Sequence, residues 1–307
     1  MIRPAVVVAG EALIDLVPRG DALWPSAAGS PVNVAVGLGR LGVLTAFCGP
    51  VSTDGLGDLI ATRLDDAGVA LDLLTPVDLP TTLAVVHLDA EGRAAYGFYL
   101  DGTSASAPST ATLPDGAALH VSFGAIGATH APAGRAAVAM LRREAGRRVV
   151  SLDPNVRPTA IGELAETVAA LEEAVTVCDL VKVSDEDLTH LYPDEDPLDV
   201  AERWAGTGPA LVVVTRGPDG AVAFGAAGHL EVVGRPVEVV DTVGAGDAFT
   251  AGLLARLAES GHLDRRALRA ADPATITDAL SHAVHVATIT CGREGADPPT
   301  AAELTAS

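Results

Sequence analysis

Residues 239–249 read Val239-Val240-Asp241-Thr242-Val243-Gly244-Ala245-Gly246-Asp247-Ala248-Phe249. An apolar, strand-like run enters the stretch, and a helical pattern from Ala248 to Ala258 leaves it. Gly244-Ala245-Gly246 is therefore predicted at a strand-to-helix turn. Small residues there let backbone N–H groups approach a ligand, and the helix end adds partial positive charge. Such a turn is an anion hole suited to charge developing on a transferred phosphoryl group. Asp247 follows in the first helical turn, where a carboxylate can take the proton of an attacking hydroxyl. The alternative for an isolated Gly-Ala-Gly-Asp is an N-cap aspartate with no chemical role. A second aspartate, Asp241, flanks the loop and favours the catalytic reading.

Outward from this stretch, short apolar runs alternate with helical patterns. Strands are predicted at Ala5–Gly10, Thr45–Val51, Leu119–Phe123, Val149–Asp153, Leu180–Ser184 and Leu211–Thr215. Helices are predicted at Pro31–Leu41, Gly57–Ala67, Ala133–Ala145, Glu163–Val177 and Asp199–Ala205. Buried strands separated by helices mean βαβ units and a doubly wound, mostly parallel sheet with helices on both faces. Ligands in such folds sit beyond the carboxyl ends of the strands. Thr81–Asp89 and Arg93–Leu100 break the rhythm as a hairpin around Ala90-Glu91-Gly92. Val222–Phe224 and Leu230–Val233 suggest a second one. The expectation is one domain over 1–307 with a small β lid, formed mainly by about 12–26 and 81–101.

The chain has 307 residues, 40 acidic against 20 basic, for a net charge of −20. That charge argues against nucleic acid or an anionic membrane as a partner, since both need a basic face. Lys182 is the only lysine and sits in Val-Lys-Val, so no Walker A loop is present. Cys48, Cys178 and Cys291 are far apart and read as buried thiols of a reducing compartment. No run approaches a membrane span. The N-terminal apolar run is cut by Glu11, against a signal peptide. The expected location is cytoplasmic.

Asp241 to Asp247 resembles the C-terminal signature of the PfkB (ribokinase-like) carbohydrate kinases. Ala28-Gly29-Ser30-Pro31-Val32-Asn33-Val34-Ala35, leading to Gly39-Arg40-Leu41-Gly42, resembles the N-terminal one. Gly10-Glu11-Ala12-Leu13-Ile14-Asp15, Asp153-Pro154-Asn155-Val156-Arg157-Pro158 and Val214-Thr215-Arg216-Gly217 fit in order and spacing. The resemblance covers nearly the whole chain and lies closest to fructokinase-like members. It implies a ribokinase-like fold and an ATP-dependent sugar kinase. The γ-phosphoryl group would pass to a primary hydroxyl of a furanose-type sugar, fructose foremost. Ribose, 2-keto-3-deoxygluconate and nucleosides are the alternatives on this fold, and a non-catalytic sugar-binding regulator is the alternative of another class.

Carried over by position, Asp247 is the general base and the amides of Gly244, Ala245 and Gly246 form the anion hole. Asp15, Gly29 and Asn33 hold sugar hydroxyls, which need paired donors and acceptors. Arg157 lies near substrate and γ-phosphate. Thr215, Arg216, Gly217 and Gly220 belong to the nucleotide strand and turn, with Gly244 and Gly246. Lys182 and Ser184 fall where the family has Asn-x-x-Glu, a motif tied to magnesium and phosphate. Asp187, or its neighbour Glu186, supplies the carboxylate, and a helix start capped by Ser184 is the competing reading. A monovalent cation site, for potassium, would use Asp241, Val243, Thr290, Arg293 and Gly295. ATP and Mg2+ are the implied cofactors. The lid should exclude water, with Tyr96 and Phe98 on one side and Tyr99 on the other. Its edge strands suggest a lid-mediated homodimer.

Other signals carry less. Gly37-Leu38-Gly39-Arg40-Leu41-Gly42 matches the dinucleotide fingerprint literally but lies in or at the end of a helix, not after a strand. His282 and His285 lack nearby ligands for a metal. Asp194–Asp199 reads as a solvated turn.

Overall fold

The computed structural model describes residues 3–88, 94–109, 111–122, 133–158 and 161–306. Its strands are β1 (Val6–Ala9), β2 (Leu13–Arg19), β3 (Ala22–Ala28), β4 (Thr45–Cys48), β5 (Pro50–Ser52), β6 (Thr75–Val77), β7 (Leu83–Leu88), β8 (Ala94–Tyr99), β9 (Ala118–Ser122), β10 (Val150–Asp153), β11 (Leu180–Ser184), β12 (Leu211–Thr215), β13 (Ala221–Gly225) and β14 (Gly228–Val232). The described helices are α1 (Ser30–Arg40), α2 (Gly55–Asp66), α3 (Ala133–Glu144), α4 (Leu164–Val177), α5 (Asp185–Leu191), α6 (Pro197–Ala205), α7 (Ala245–Glu259), α8 (Arg265–Arg269), α9 (Pro273–Cys291) and α10 (Ala301–Ala306).

Eight strands form the main sheet in the order β14-β13-β12-β11-β10-β9-β1-β4. From β4 to β12 neighbours run parallel; β13 and β14 add an antiparallel edge. The central strands carry no polar alternation because helices cover both faces. Val7 and Ala9 of β1 pack with Leu141, Leu171 and Trp204 of α3, α4 and α6. Val6 and Val8 point the other way, into a cluster with Val34, Leu38 and Leu254 of α1 and α7. A third cluster sets Phe249, Leu253 and Leu280 of α7 and α9 under β11 to β13. This is the doubly wound architecture.

The chain leaves β1 for β4 on one side and returns to β9 on the other. The carboxyl ends of β1 and β9 therefore mark a switch of direction, where such sheets leave a crevice. A second sheet, β3-β2-β7-β8, rises beside that crevice. Asp54 ties it down: its carboxylate caps α2 and accepts from the Thr81 amide at 2.8 Å and the Thr81 hydroxyl at 2.5 Å.

Three sequence expectations need correction. Thr45–Val51 is not one strand: β4 ends at Cys48, and β5 pairs with β6 in a separate sheet. Gly49 makes the break, since a Cβ there would lie 2.3 Å from the Gly10 carbonyl oxygen, and Pro50 has no N–H for a ladder. The run into the Gly-rich loop is not a strand either. Val239 and Val240 are 58% and 62% exposed, and the amides of Val240 and Asp241 both donate to the Cys291 carbonyl. The segment is held by the end of α9 instead of a sheet. The helix after it starts earlier, at Ala245. Of the remaining expectations, Phe123 and the turn residues 89–93 lie outside the described residues.

Candidate active site

The candidate catalytic residues lie on the first turn of α7. Gly244 is its N-cap, in the left-handed region (φ 75°), and a Cβ there would lie 2.5 Å from the Ala296 Cβ. Only glycine fits both constraints. The Ala245 amide is already engaged, donating to the Thr242 carbonyl at 3.2 Å. The helical donors left facing outward are thus those of Gly246 and Asp247, which have no carbonyl partner inside the helix.

Asp247 does not cap its helix. Its carboxylate turns to α1: Ser30 Oγ donates to Oδ1 at 2.6 Å and Asn33 Nδ2 to Oδ2 at 2.8 Å. Ser122, at the carboxyl end of β9, meets the same serine, Oγ to Oγ 2.6 Å. Burial pushes the Asp247 pKa up, against these two hydrogen bonds. A carboxylate with raised proton affinity and two fixed donors is suited to take a hydroxyl proton.

Beside it, Asn33 Oδ1 is buried and has no hydrogen-bond partner. Such an acceptor implies a donor arriving from a ligand. Gly29 caps α1 at φ 107°, where a Cβ would press on the Glu11 carbonyl oxygen at 3.0 Å. Asp15 on β2 is half-buried, and burial lifts its pKa to about 6 against the opposing charges of Arg63 and Arg157. Phe98 stacks on Tyr96 with centroids 6.0 Å apart, over Leu13, Ala28 and Ala84. Tyr99, on the other face of β8, is 62% exposed. Arg157 is exposed, with its charge felt by Glu11, Asp15 and Asp187.

Other sequence-predicted residues are engaged within the fold. Lys182 is buried and paired with Asp153, Nζ to Oδ2 3.1 Å. Ser184 is the N-cap of α5, accepting from the Asp187 amide at 3.0 Å. Asp187 is buried and accepts from the Val156 amide at 3.0 Å, whereas Glu186 is exposed. Thr215 ends β12 and its hydroxyl leans on the Val183 carbonyl at 3.5 Å. Arg216 is bonded to Glu231 of β14. Gly217 and Gly220 have positive φ, and Gly220 packs against β14 with no room for a side chain.

Asp241 is a hub. One carboxylate oxygen accepts from the Val243 amide at 3.0 Å and the other from the Gly295 amide at 2.9 Å. Thr290 turns its hydroxyl to the Val286 carbonyl, and Arg293 pairs with Asp297 and Glu303. These side chains fix two facing main-chain segments, and any cation held there would take main-chain carbonyls.

The sequence passed over Glu11, Ser30, Ser122, Asp153 and Thr250. Glu11 is buried beside an apolar cavity of about 50 Å³ that Ser122 also lines, and burial pushes its pKa to about 7. Its signal was position: it follows β1 directly, at the crevice. Gly37 and Gly39 lie inside α1 and serve its packing. A Cβ on Gly37 would lie 2.7 Å from the Ala251 Cβ, and one on Gly39 2.2 Å from the Ala67 carbonyl oxygen. They let α1 close on α7 and α2. Among the described residues, His282 and His285 join no metal-binding cluster, and Asp196 caps α6. No described helix is long and apolar enough to cross a membrane.

The chain is 40% identical over 278 residues to a fructokinase of Rhizobium leguminosarum bv. trifolii, covering 87% of this chain and 84% of that one. Its fold matches the crystal structure of a Xylella fastidiosa fructokinase with bound ATP (TM-score 0.87, 27% identity, 98% and 97% of the two chains). It also matches a Vibrio cholerae fructokinase holding fructose, ADP and a calcium ion (TM-score 0.83, 30% identity, 98% and 97% covered). The pattern of the pfkB family carbohydrate kinases matches residues 3–302. The fold is ribokinase-like, and the chain belongs to the pfkB family of carbohydrate kinases.

Proposed function

We propose that this kinase transfers the γ-phosphoryl group of ATP to the primary hydroxyl of fructose. The observation that carries the proposal is the pair at the α1–α7 contact. A buried base, Asp247, is gripped by Ser30 and Asn33, and the unpartnered Asn33 Oδ1 lies beside it. The sugar would lie between Asn33, Gly29 and Asp15, under Tyr96 and Phe98 of the lid. Asp247 takes the proton of the attacking hydroxyl as its oxygen bonds to the γ-phosphorus. The bond from that phosphorus to the bridging oxygen breaks, and ADP leaves. The Gly246 and Asp247 amides at the positive end of α7 face the charge on the transferring group. Arg157 supplies a further cation.

Mg2+ fits the all-oxygen donors near Asp187 and Glu186, and when bound it neutralises phosphate charge. The Asp241-braced segments suit a potassium ion bound through main-chain carbonyls. Lid closure over the sugar keeps water from competing for the phosphoryl group. Exposed Leu23 and Trp24 on the edge strand β3 support pairing of lids between two copies, which sedimentation tests. Three free thiols support a cytoplasmic location.

The experiment is ADP release from ATP·Mg with fructose, ribose, 2-keto-3-deoxygluconate, adenosine or no acceptor, with and without potassium. Release with fructose far above the others is expected; faster release with another acceptor overturns the assignment. Asp247→Asn should still bind sugar and nucleotide but lose about a thousandfold in turnover.

A further inference from the structure

We propose that Lys182, the only lysine in the chain, is a positioning residue that places a fixed positive charge behind the Gly244–Gly246 turn and the Asp247 carboxylate. The inference rests on the reading of Asp247 as the base. Lys182 Nζ sits 3.1 Å from Asp153 Oδ2, with side-chain exposures of 5% and 1%. Thr250 Oγ1 reaches the same carboxylate oxygen at 3.2 Å and lies 3.1 Å from the Gly246 carbonyl. A Cβ on Gly246 would stand 3.1 Å from Lys182 Nζ, so the ammonium lies against the α-carbon of the anion-hole turn. The ends of β10 and β11 are thereby clamped to the first turn of α7 through one buried cation.

Charge makes the same point. The ammonium is paired with Asp153, and its charge is also felt at Asp187 and Asp247. Asp247 is faced by Ser30 and Asn33 from α1, by Asp153 from β10, by Lys182 from β11 and by Arg63 from α2. Glu11 and Asp15 face it from the β1 end and β2. Three of these neighbours are acids. With only 5% of its side chain exposed and its ammonium against Asp153 and Gly246, Lys182 is placed to act on the reaction through Asp247 and the turn. A buried cation near a carboxylate favours the charged form of that carboxylate.

The sole lysine gives a one-signal test. Full-length protein labelled with 15N-lysine has a single Nζ resonance. That resonance is expected to titrate with the midpoint of the acid limb of the kcat/KM profile, and to lose that titration in Asp247→Asn. Lys182→Met should move the acid limb up by about one pH unit, and Lys182→Arg should restore it most of the way. A resonance flat across that range, or an acid limb unmoved in Lys182→Met, overturns the proposal. So does a resonance that responds only to a non-hydrolysable ATP analogue, which would put Lys182 on the nucleotide. If Lys182→Met does not fold, the wild-type resonance decides. Turnover retained by Asp247→Asn would defeat the base assignment separately, while the resonance would still report whether lysine and aspartate share a field.

Discussion

Replacing Gly37 by alanine should damage catalysis at a distance from the reacting atoms. Ser30, Asn33 and Gly37 lie at i, i+3 and i+7 on one face of α1, opposite Asp247 and Ala251 at i and i+4 on α7. The two helices touch so closely that a Cβ at 37 would stand 2.7 Å from the Ala251 Cβ. Ordinary carbon contact is ~3.5–4.0 Å, so the helices must part by about 1 Å at that point. Along the same face, the Ser30 bond to Asp247 at 2.6 Å and the Asn33 bond at 2.8 Å would stretch towards breaking. A hydrogen bond to a charged group contributes about 1.5–3 kcal/mol, so losing one predicts a fall in kcat of about 10- to 100-fold. Stability should fall as well, by the lost hydrogen bond and the overpacking less the gain in helix propensity. Overpacking costs about 1–3 kcal/mol, and replacing a helical glycine by alanine returns about 1 kcal/mol. The assay is coupled ADP release at saturating sugar and ATP, beside thermal unfolding. The double variant Gly37→Ala/Ala251→Gly reopens the contact and should recover most of the lost rate. A kcat within twofold of wild type, or no recovery in the double variant, would refute the reasoning.

Two further outcomes follow from buried carboxylates. The Glu11 pKa is raised from 4.5 to about 7 in the folded state, so the native protein holds a proton that the unfolded chain has released. Stability is then lost as pH rises from about 4.5 to about 7, by about 3 kcal/mol in total. Glu11→Gln should gain on wild type by that amount between pH 4.5 and pH 8 in urea unfolding; an equal difference at both ends sinks the claim. Asp179 is buried and accepts from Arg265 Nε at 3.0 Å, from Arg269 at 3.3 Å and from the Val150 amide at 3.2 Å. Asp179→Ala should cost about 2–3 kcal/mol by thermal unfolding, because two arginines lose their shared anion but keep access to water. It should leave kcat at 25 °C intact; a loss under about 1 kcal/mol would refute this.

Much of the architecture was legible because its signals are local. Val6–Ala9, Val150–Asp153 and Leu211–Thr215 are short apolar runs that make sense only as strands covered on both faces, and helical patterns lie between them. Gly244 and Asp247 were legible for the same reason. A small-residue turn opening a helix states its own backbone chemistry. The misreadings came where a distant neighbour decides. Val239 and Val240 look like a strand, but neither lies in a described strand, and the Cys291 carbonyl takes the amides of Val240 and Asp241 instead. The glycine fingerprint of 37–42 reads correctly from the sequence as part of a helix and its end, but only the structure shows that Gly37 and Gly39 accommodate Ala251 and Ala67.

The sequence by itself determined the doubly wound class and the small-residue turn that opens α7, and it pointed to Asp247 as the proposed base, because periodicity and local turn chemistry are properties of neighbouring residues. Only the tertiary structure decided what that base touches. Ser30, 217 residues away in the chain, donates to Asp247, and Lys182 and Thr250, from separate elements, converge on Asp153. Such contacts are set by how closely helices and strands pack, and a linear pattern carries no distance between elements remote in the chain.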